Sequence, residues 1–593
     1  MLAGPTLGGR VMARHDELMT QAFAHAKAER YDEALALCQR VLRDAPGHLS
    51  ALTTAVSCYH AKGDLVRATH FARQARLAHD RLETRMGLAF LLAKGGDRES
   101  ALEELGPLLD GPRASSLACY RAAGLLCDLG RADEAATRSH AWANRWPTIP
   151  NLWQAHVDAL ARLGDVRAQL AALREGIGRF RGYRLFPEWL ASTLLYADNV
   201  PEDEVIRAAH AQAGLLRDVP PVVASNPPRD GVLRVGLVSP DLRAHAVAFF
   251  IRPFLEYHDR ASTRVFVYDT GDEADATTAT LRPQAHAWRS CHRLTDAQVA
   301  QAVRDDGVHV LIDLVGLTRG SRPGILAARP APVQATYLGY AGMTCLPGYD
   351  YRVVDSRTDP PGSDTPGAEK LVRLDPCFLC YRPADDLPPL MPPAGAGAPV
   401  TFGSFNALLK VTPTTVALWS RVLSHVPGSR MIVKAWGLET PAAKARLRGM
   451  FAAQGIVADR LDLLALAPSP REHLATYHRV DIALDTFPYH GTTTTCEALS
   501  MGVPVVSRVG EVHRARVGLS ILSAVGLADL AATTDEAFVE TAVGLANDPA
   551  RRAAWRSAGP EGLRARLAAS PLGDGPGFAR RLEALLRTLI EKA

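Results

Sequence analysis

The 593-residue sequence predicts an α-helical solenoid followed by two α/β halves with a cleft between them. Three observations predict it. An alanine recurs at positions 34, 68, 101, 135 and 168, each time after a turn that ends an apolar helical stretch. Beyond residue 230, short apolar runs alternate with helical segments, the pattern of parallel sheets covered on both faces. A proline- and glycine-rich stretch, Pro383–Pro399, then splits that region in two.

The repeat comes first. Steps of 34, 33, 34 and 33 residues separate the alanines, and turns such as Gly63-Asp64, Gly96-Asp97, Gly130-Arg131 and Gly164-Asp165 precede them (Arg30-Tyr31 in the first unit). A small residue at this place lets the second helix of a pair approach the first, and stacked pairs bury their apolar sides against one another. The period resembles that of the tetratricopeptide repeat, and the array is expected over 1–183. The resemblance implies a curved face that holds peptides, with self-association into a homo-oligomer as the alternative use. Residues 184–230 read as a helical connector, Phe186–Leu216, and a linker rich in Pro220, Pro221, Pro227 and Pro228.

Residues 231–385 form the first expected half. Leu233–Asp241 is a strand and its loop, Ala246–Tyr257 a helix, Arg264–Tyr268 a strand, Asp296–Asp305 a helix and Val308–Asp313 a strand. Gln334–Gly339 and Tyr351–Asp355 continue the series. After a hinge at 386–399, the second half, 400–593, opens with the strand Val400–Phe405. It continues with a helix at Thr412–Leu423 and strands at Arg430–Lys434, Leu461–Leu464, Val480–Asp485 and Val503–Val506. Ligands of such sheets sit at the carboxyl ends of the strands, here the cleft between the halves. Neither half carries Gly-x-Gly-x-x-Gly, which weighs against a dinucleotide.

Three constellations stand at the expected strand ends. In Asp485-Thr-Phe-Pro-Tyr-His-Gly-Thr-Thr-Thr-Thr-Cys-Glu497 a strand turns through Gly491 toward a helix expected from Glu497 onward. A helix start presents unpaired N–H groups and partial positive charge, a site for phosphate. The hydroxyls of Thr492, Thr493, Thr494 and Thr495 add donors there, or they only cap the helix. His490 either touches the same anion or lies at the surface. The second constellation is Phe405-Asn406-Ala-Leu-Leu-Lys410, whose lysine reaches a phosphate as a point charge or is an ordinary surface lysine. The third is Ser239–His245. His473 is expected on the cleft side of the second half, and His309 inside a strand.

Composition excludes little. With 67 basic and 63 acidic residues, the net charge of +4 gives no reason to expect a nucleic-acid partner. Met1–His15 lacks the apolar core of a signal peptide, and no run is long enough to span a bilayer. Nine irregularly spaced cysteines read as thiols in a reducing compartment, so a cytoplasmic location without membrane attachment is expected. Cys377-Phe-Leu-Cys380 lacks the second pair that a zinc site needs.

From Leu233 to about Asp548 the chain resembles glycosyltransferase family 41, the O-linked N-acetylglucosamine transferases and the plant SPINDLY proteins. The segments that carry the resemblance are Leu233–His245, Ala328–Gln334, Leu338–Tyr340, Phe402–Asn406 and Leu484–Leu499. Gly491–Glu497 and Cys377–Tyr381 are closer to the SPINDLY branch. The resemblance implies a GT-B enzyme of two Rossmann-like halves. Such an enzyme moves a sugar from a nucleotide sugar to Ser or Thr of a protein, inverts the anomeric centre and needs no metal or other cofactor. It also implies site roles. Lys410 neutralises the leaving diphosphate, Asn406 and Thr492–Thr494 belong to the loops holding the donor, Glu497 contacts the ribose, His473 lies beside the base, and His245 lies near the sugar as a candidate general base. Ala407 and Thr492 stand where the N-acetylglucosamine enzymes carry glutamine and histidine. That departure opens GDP-fucose, the donor of the SPINDLY branch, beside UDP-N-acetylglucosamine. Two alternatives stay open: a flagellin glycosyltransferase using a CMP-nonulosonic acid, and a non-catalytic repeat scaffold with a degenerate transferase domain.

Overall fold

The computed structural model describes residues 7–222, 227–383, 385–392 and 398–592; parts of the expected linker and hinge lie outside these. The chain divides into two compact units, 1–160 and 161–593.

In the first unit, helices pair in the order the repeat predicts: Tyr31–Asp44, Leu49–Ala61, Leu65–Ala78, Leu82–Lys94, Arg98–Leu105, Ser116–Asp128 and Ala132–Arg145 follow the opening helix Leu7–Lys27. Ala34, Ala68, Ala101 and Ala135 are fully buried, as a close helix–helix approach requires. The turns before them adopt the left-handed conformation at Gly63, Gly96 and Gly130; in the first repeat Glu29 takes that position (φ 59°), one residue before the expected Arg30-Tyr31. Asp64 and Asp97 then cap the next helix by accepting the N–H of Arg67 and Ser100.

The unit boundary falls inside the helix Pro150–Arg162. The helix Val166–Arg179 belongs to the second unit, where it packs on Leu185–Leu194, which packs on Glu202–Gly214. The connector is therefore two helices, and they share one apolar cluster with the first sheet through Leu170, Leu194, Val205, Tyr268 and Leu311.

Two parallel sheets build the rest. The first has seven strands: β1 (Leu233–Ser239), β2 (Thr263–Asp269), β3 (Ala287–Ser290), β4 (Val310–Asp313), β5 (Val333–Thr336), β6 (Tyr351–Val354) and β7 (Lys370–Arg373), in spatial order β3-β2-β1-β4-β5-β6-β7. The second has β8 (Thr401–Ser404), β9 (Arg430–Lys434), β10 (Leu461–Leu464), β11 (Ile482–Leu484), β12 (Val505–Arg508) and β13 (Ala531–Ala532), in order β10-β9-β8-β11-β12-β13. Both are doubly wound, and the strand order reverses at β1/β4 and at β8/β11, where crevices open at the carboxyl ends. β3, β7 and β13 were not expected from the sequence. All three are short and half-exposed, without the apolar run that marks a central strand.

The second half does not keep the whole of 400–593. Its last helix, Gly575–Glu591, crosses back and packs on Ala246–Tyr257 of the first half. Phe578, Leu582 and Leu586 are buried there, Glu583 accepts the Asp259 N–H at 2.9 Å, and Arg587 donates to the Ser262 carbonyl. No described helix is long and apolar enough to cross a membrane.

Candidate active site

The crevice at β8/β11 faces the loop after β1, and together they enclose a cavity of about 250 Å³. Its walls include His245, Asn406, Lys410 and Thr492–Thr494, drawn from all three constellations.

The threonine loop is built around Asp485, which directly follows β11 and is almost fully buried. Its Oδ1 accepts the N–H of Thr486 at 2.9 Å and of Gly491 at 2.7 Å; its Oδ2 accepts the Ser507 hydroxyl at 2.6 Å. The carboxylate thus fixes both ends of the loop. Gly491 is needed because a Cβ there would lie 2.3 Å from Thr494 Oγ1 and 2.8 Å from Asn406 Oδ1. The helix that follows is Thr493–Ser500, four residues earlier than expected from Glu497. Thr492 stands at its N-cap but makes no side-chain cap. Thr494 donates to Asn406 Oδ1 at 3.0 Å and Thr495 to the Gly491 carbonyl at 3.2 Å. The threonines therefore hold the loop and line the cavity rather than cap. The first N–H groups of the helix have no intrahelical partner, and Thr492–Thr494 line the cavity.

Lys410 closes the crevice. It sits at the end of a short 3₁₀ turn, Leu408–Lys410, after β8, and its Nζ donates to the His490 carbonyl across the crevice at 2.7 Å. Burial pushes its pKa down to about 8, with Asp485 pulling the other way. Half-buried and bonded across the crevice, the side chain is not the solvated surface lysine of the alternative reading.

His490 departs from both expectations. Its ring is fully buried, Nε2 donates to the Arg508 carbonyl at 2.7 Å, and Nδ1 accepts the Gly518 N–H at 3.0 Å. Burial holds it below the usual histidine value. The ring is neither at the surface nor available to an anion; only its carbonyl serves the site. Gly491 likewise contributes backbone, not lining.

His473 and Glu497 meet in a second cluster behind Phe405. His473 Nε2 lies 2.9 Å from Glu497 Oε2, and Lys434 Nζ lies 2.5 Å from His473 Nδ1. An ammonium only donates, so Nδ1 accepts and Nε2 carries the proton given to Glu497. Burial lowers the Lys434 pKa while Glu497 supports its charge. The Tyr477 hydroxyl adds a bond to the Thr494 carbonyl at 3.1 Å, and Phe405 packs against Tyr477 with centroids 4.2 Å apart.

His245 caps the helix Ala246–Tyr257: its Nδ1 accepts the Val247 N–H at 3.4 Å and lies 3.8 Å from Asp241. Desolvation holds it below the usual histidine value; Asp241 opposes that and Arg243 adds to it. The ring is thereby biased toward its neutral form, in which Nδ1 accepts from Val247 and Nε2 carries the proton. His309 lies one residue before β4, with Nδ1 accepting the Arg234 N–H at 3.0 Å.

Tyr489, Arg352 and His513 also line the cavity and were not singled out from the sequence. Tyr489 stood unremarked inside the quoted loop; Arg352 and His513 come from β6 and from the loop after β12, with no local motif to mark them. All nine cysteines are buried free thiols, and Cys377 and Cys380 are pushed up to about 12 by burial. Among the described residues, no group of three or more His, Cys, Asp or Glu side chains is placed to hold a metal ion.

Comparison with known proteins identifies the family. The model of glycosyl transferase family 41 matches residues 216–385 and 395–568, more than half of the chain, and a tetratricopeptide model matches 25–81. A probable UDP-N-acetylglucosamine–peptide N-acetylglucosaminyltransferase, SPINDLY of Arabidopsis thaliana, is 40% identical over 365 residues, 61% of this chain and 40% of the relative. The similarly described SEC protein of the same plant is 30% identical over 59% of this chain and 36% of its own length. The chain thus spans about two fifths of the length of these curated relatives. A solved O-GlcNAc transferase mutant of Thermobaculum terrenum superposes with a TM-score of 0.69 at 28% identity, covering 98% of this chain and 99% of that one. The chain belongs to glycosyltransferase family 41.

Proposed function

We propose that the protein transfers a sugar from a nucleotide sugar to Ser or Thr hydroxyls of a protein acceptor. The observation that carries the reading is Lys410 Nζ held 2.7 Å from the His490 carbonyl, at the mouth of the helix that begins at Thr493. A leaving nucleoside diphosphate develops negative charge as the sugar departs. An ammonium, free helix N–H groups and threonine hydroxyls fixed in advance stabilise that charge without reorganising. The His473–Glu497–Lys434 cluster, next to the phosphate loop, takes the nucleoside. His245, opposite, takes the acceptor hydroxyl's proton on Nδ1, giving up its long 3.4 Å bond to the Val247 N–H, as the new bond forms on the face away from the diphosphate, which inverts the anomeric centre. Lysine and helix together supply the charge that a metal ion supplies elsewhere, so transfer proceeds without added metal.

The resemblance of the loop to the SPINDLY branch, with Ala407 and Thr492 in the cleft, favours GDP-fucose over UDP-N-acetylglucosamine as donor. The repeats present the acceptor, and the reaction takes place in the cytoplasm. Thermal stabilisation by UDP, GDP and CMP tests the donor by mass action. A selective shift with GDP supports fucose, one with UDP supports N-acetylglucosamine, and one with CMP supports a nonulosonic acid and a flagellin-type acceptor. No shift with any of the three refutes the enzyme reading in favour of a scaffold.

A further inference from the structure

The lysine that carries the proposed chemistry is held from one more side. Its Nζ lies 4.0 Å from the centroid of the Tyr489 ring, within the range of a cation–π contact. Tyr489 in turn stacks on Tyr196, with centroids 5.0 Å apart and planes 16° from parallel. Tyr196 belongs to neither sheet; it lies just after the connector helix Leu185–Leu194. This loop and the helix that follows it, Glu202–Gly214, grip the second half at two further points. Asp198 accepts the Thr414 N–H at 2.9 Å, at the start of the helix after Lys410, and Glu202 pairs with Arg514 at 2.7 Å. Arg514 in turn accepts the His490 N–H on its carbonyl at 3.0 Å.

We infer that Tyr489 is a positioning residue for Lys410, that Tyr196 braces it from the connector, and that the connector helices are therefore part of the donor site. The inference rests on the donor reading above and deepens it. The ring face offers a fixed negative quadrupole to an ammonium that the half-buried setting would otherwise disfavour. It leaves the lysine's N–H groups free for the His490 carbonyl and a phosphate oxygen. Without the ring, an unbranched lysine side chain with about four free torsions would be held by one hydrogen bond.

The groups facing this pair are few. Asp485 supports the charge on Lys410, and the buried, neutral His490 ring lies behind it. Arg352 and Arg514 face the Tyr489 phenol, which burial holds far above neutrality. Between pH 7 and 9.5, Lys410 is thus the group at this place whose charge changes.

The experiment compares the full-length protein with Tyr489→Phe, Tyr489→Leu, Tyr196→Leu and a variant carrying pentafluorophenylalanine at 489. Affinity for UDP and for GDP is measured by calorimetry at steps from pH 7 to 9.5. The fluorinated ring keeps size and packing but reverses the quadrupole, so it serves where the leucine variants fold poorly. The expected result is about tenfold weaker nucleotide binding in Tyr489→Leu and in the fluorinated variant. In both, the loss of binding with rising pH moves to lower pH, while Tyr489→Phe keeps the wild-type profile. Tyr196→Leu moves the profile the same way by a smaller amount. Wild-type affinity and pH profile in the fluorinated variant would overturn the inference while leaving the donor reading intact. A wild-type protein that binds neither UDP nor GDP would refute the donor reading itself.

Discussion

The Asp485 carboxylate accepts the Gly491 N–H at 2.7 Å and, through its other oxygen, the Ser507 hydroxyl at 2.6 Å. One buried anion therefore sets the spacing between β11, the phosphate loop and β12. Asp485→Asn keeps the shape but removes the charge and turns a donor toward one of these partners. The expected loss is about 2–3 kcal/mol. It would be read as a lower thermal midpoint with loss of nucleotide stabilisation. An unchanged midpoint would show that the loop does not depend on the carboxylate.

Gly491→Ala places a methyl 2.3 Å from Thr494 Oγ1 and 2.8 Å from Asn406 Oδ1. The hydroxyl can swing away only by giving up its bond to Asn406. Nucleotide binding should weaken by at least about tenfold, with the helical content seen by circular dichroism preserved. Calorimetric titration with UDP and GDP checks this.

Lys410→Met removes the cation and keeps the stem. Transfer should fall by about 100-fold or more, with no loss of thermal stability, because a half-buried charge is also removed. In the wild type the ammonium is the active form, and its pKa is about 8. kcat/KM should therefore fall as pH rises through that value, well below the usual lysine range. A descending limb near 10 would show that burial does not perturb this group. At the other end, His245 must be neutral to accept a proton. Its lowered pKa puts the acid limb below the ordinary histidine value.

Glu497→Gln leaves Lys434 without its counter-charge and the nucleoside cluster without its anion. Nucleotide affinity should drop about tenfold while kcat at saturating donor changes little, since neither residue faces the reacting bond. A fall in kcat at unchanged affinity would move Glu497 into the chemistry.

Glu188, on the connector helix, is buried with one carboxylate oxygen unpartnered. Burial, aided by Asp313, raises its pKa to about 7. The folded state thus holds this proton more tightly than the unfolded chain, whose value is near 4.5. Its contribution is full below pH 4.5 and is lost as pH rises to 7. Glu188→Gln should therefore stabilise the protein at pH 8, by up to about 3 kcal/mol, with the gain shrinking toward pH 4.5. Denaturant melts at the two pH values give the difference; an equal effect at both would refute the assignment.

The sequence by itself determined the repeat period, the two α/β halves and the three loops that bear the site. Each of these is a local pattern: a small residue every 33 or 34 positions, apolar runs of strand length, and a glycine between a strand and a helix start. The sequence put Lys410 and the threonine loop at strand ends; their meeting was decided by the strand order, in which β8 and β11 are neighbours at the point of reversal. What the sequence could not determine was which way a side chain faces. His490 and Tyr489 are adjacent in the loop, yet the buried ring of His490 holds Arg508 and Gly518 while Tyr489 faces the lysine. Only packing against β12 and the connector separates them. The crossing of the last helix to the first half, the division into two compact units at residue 160 and the bracing of the site by Tyr196 are likewise long-range decisions. They depend on which apolar face finds a partner, and no local pattern records that.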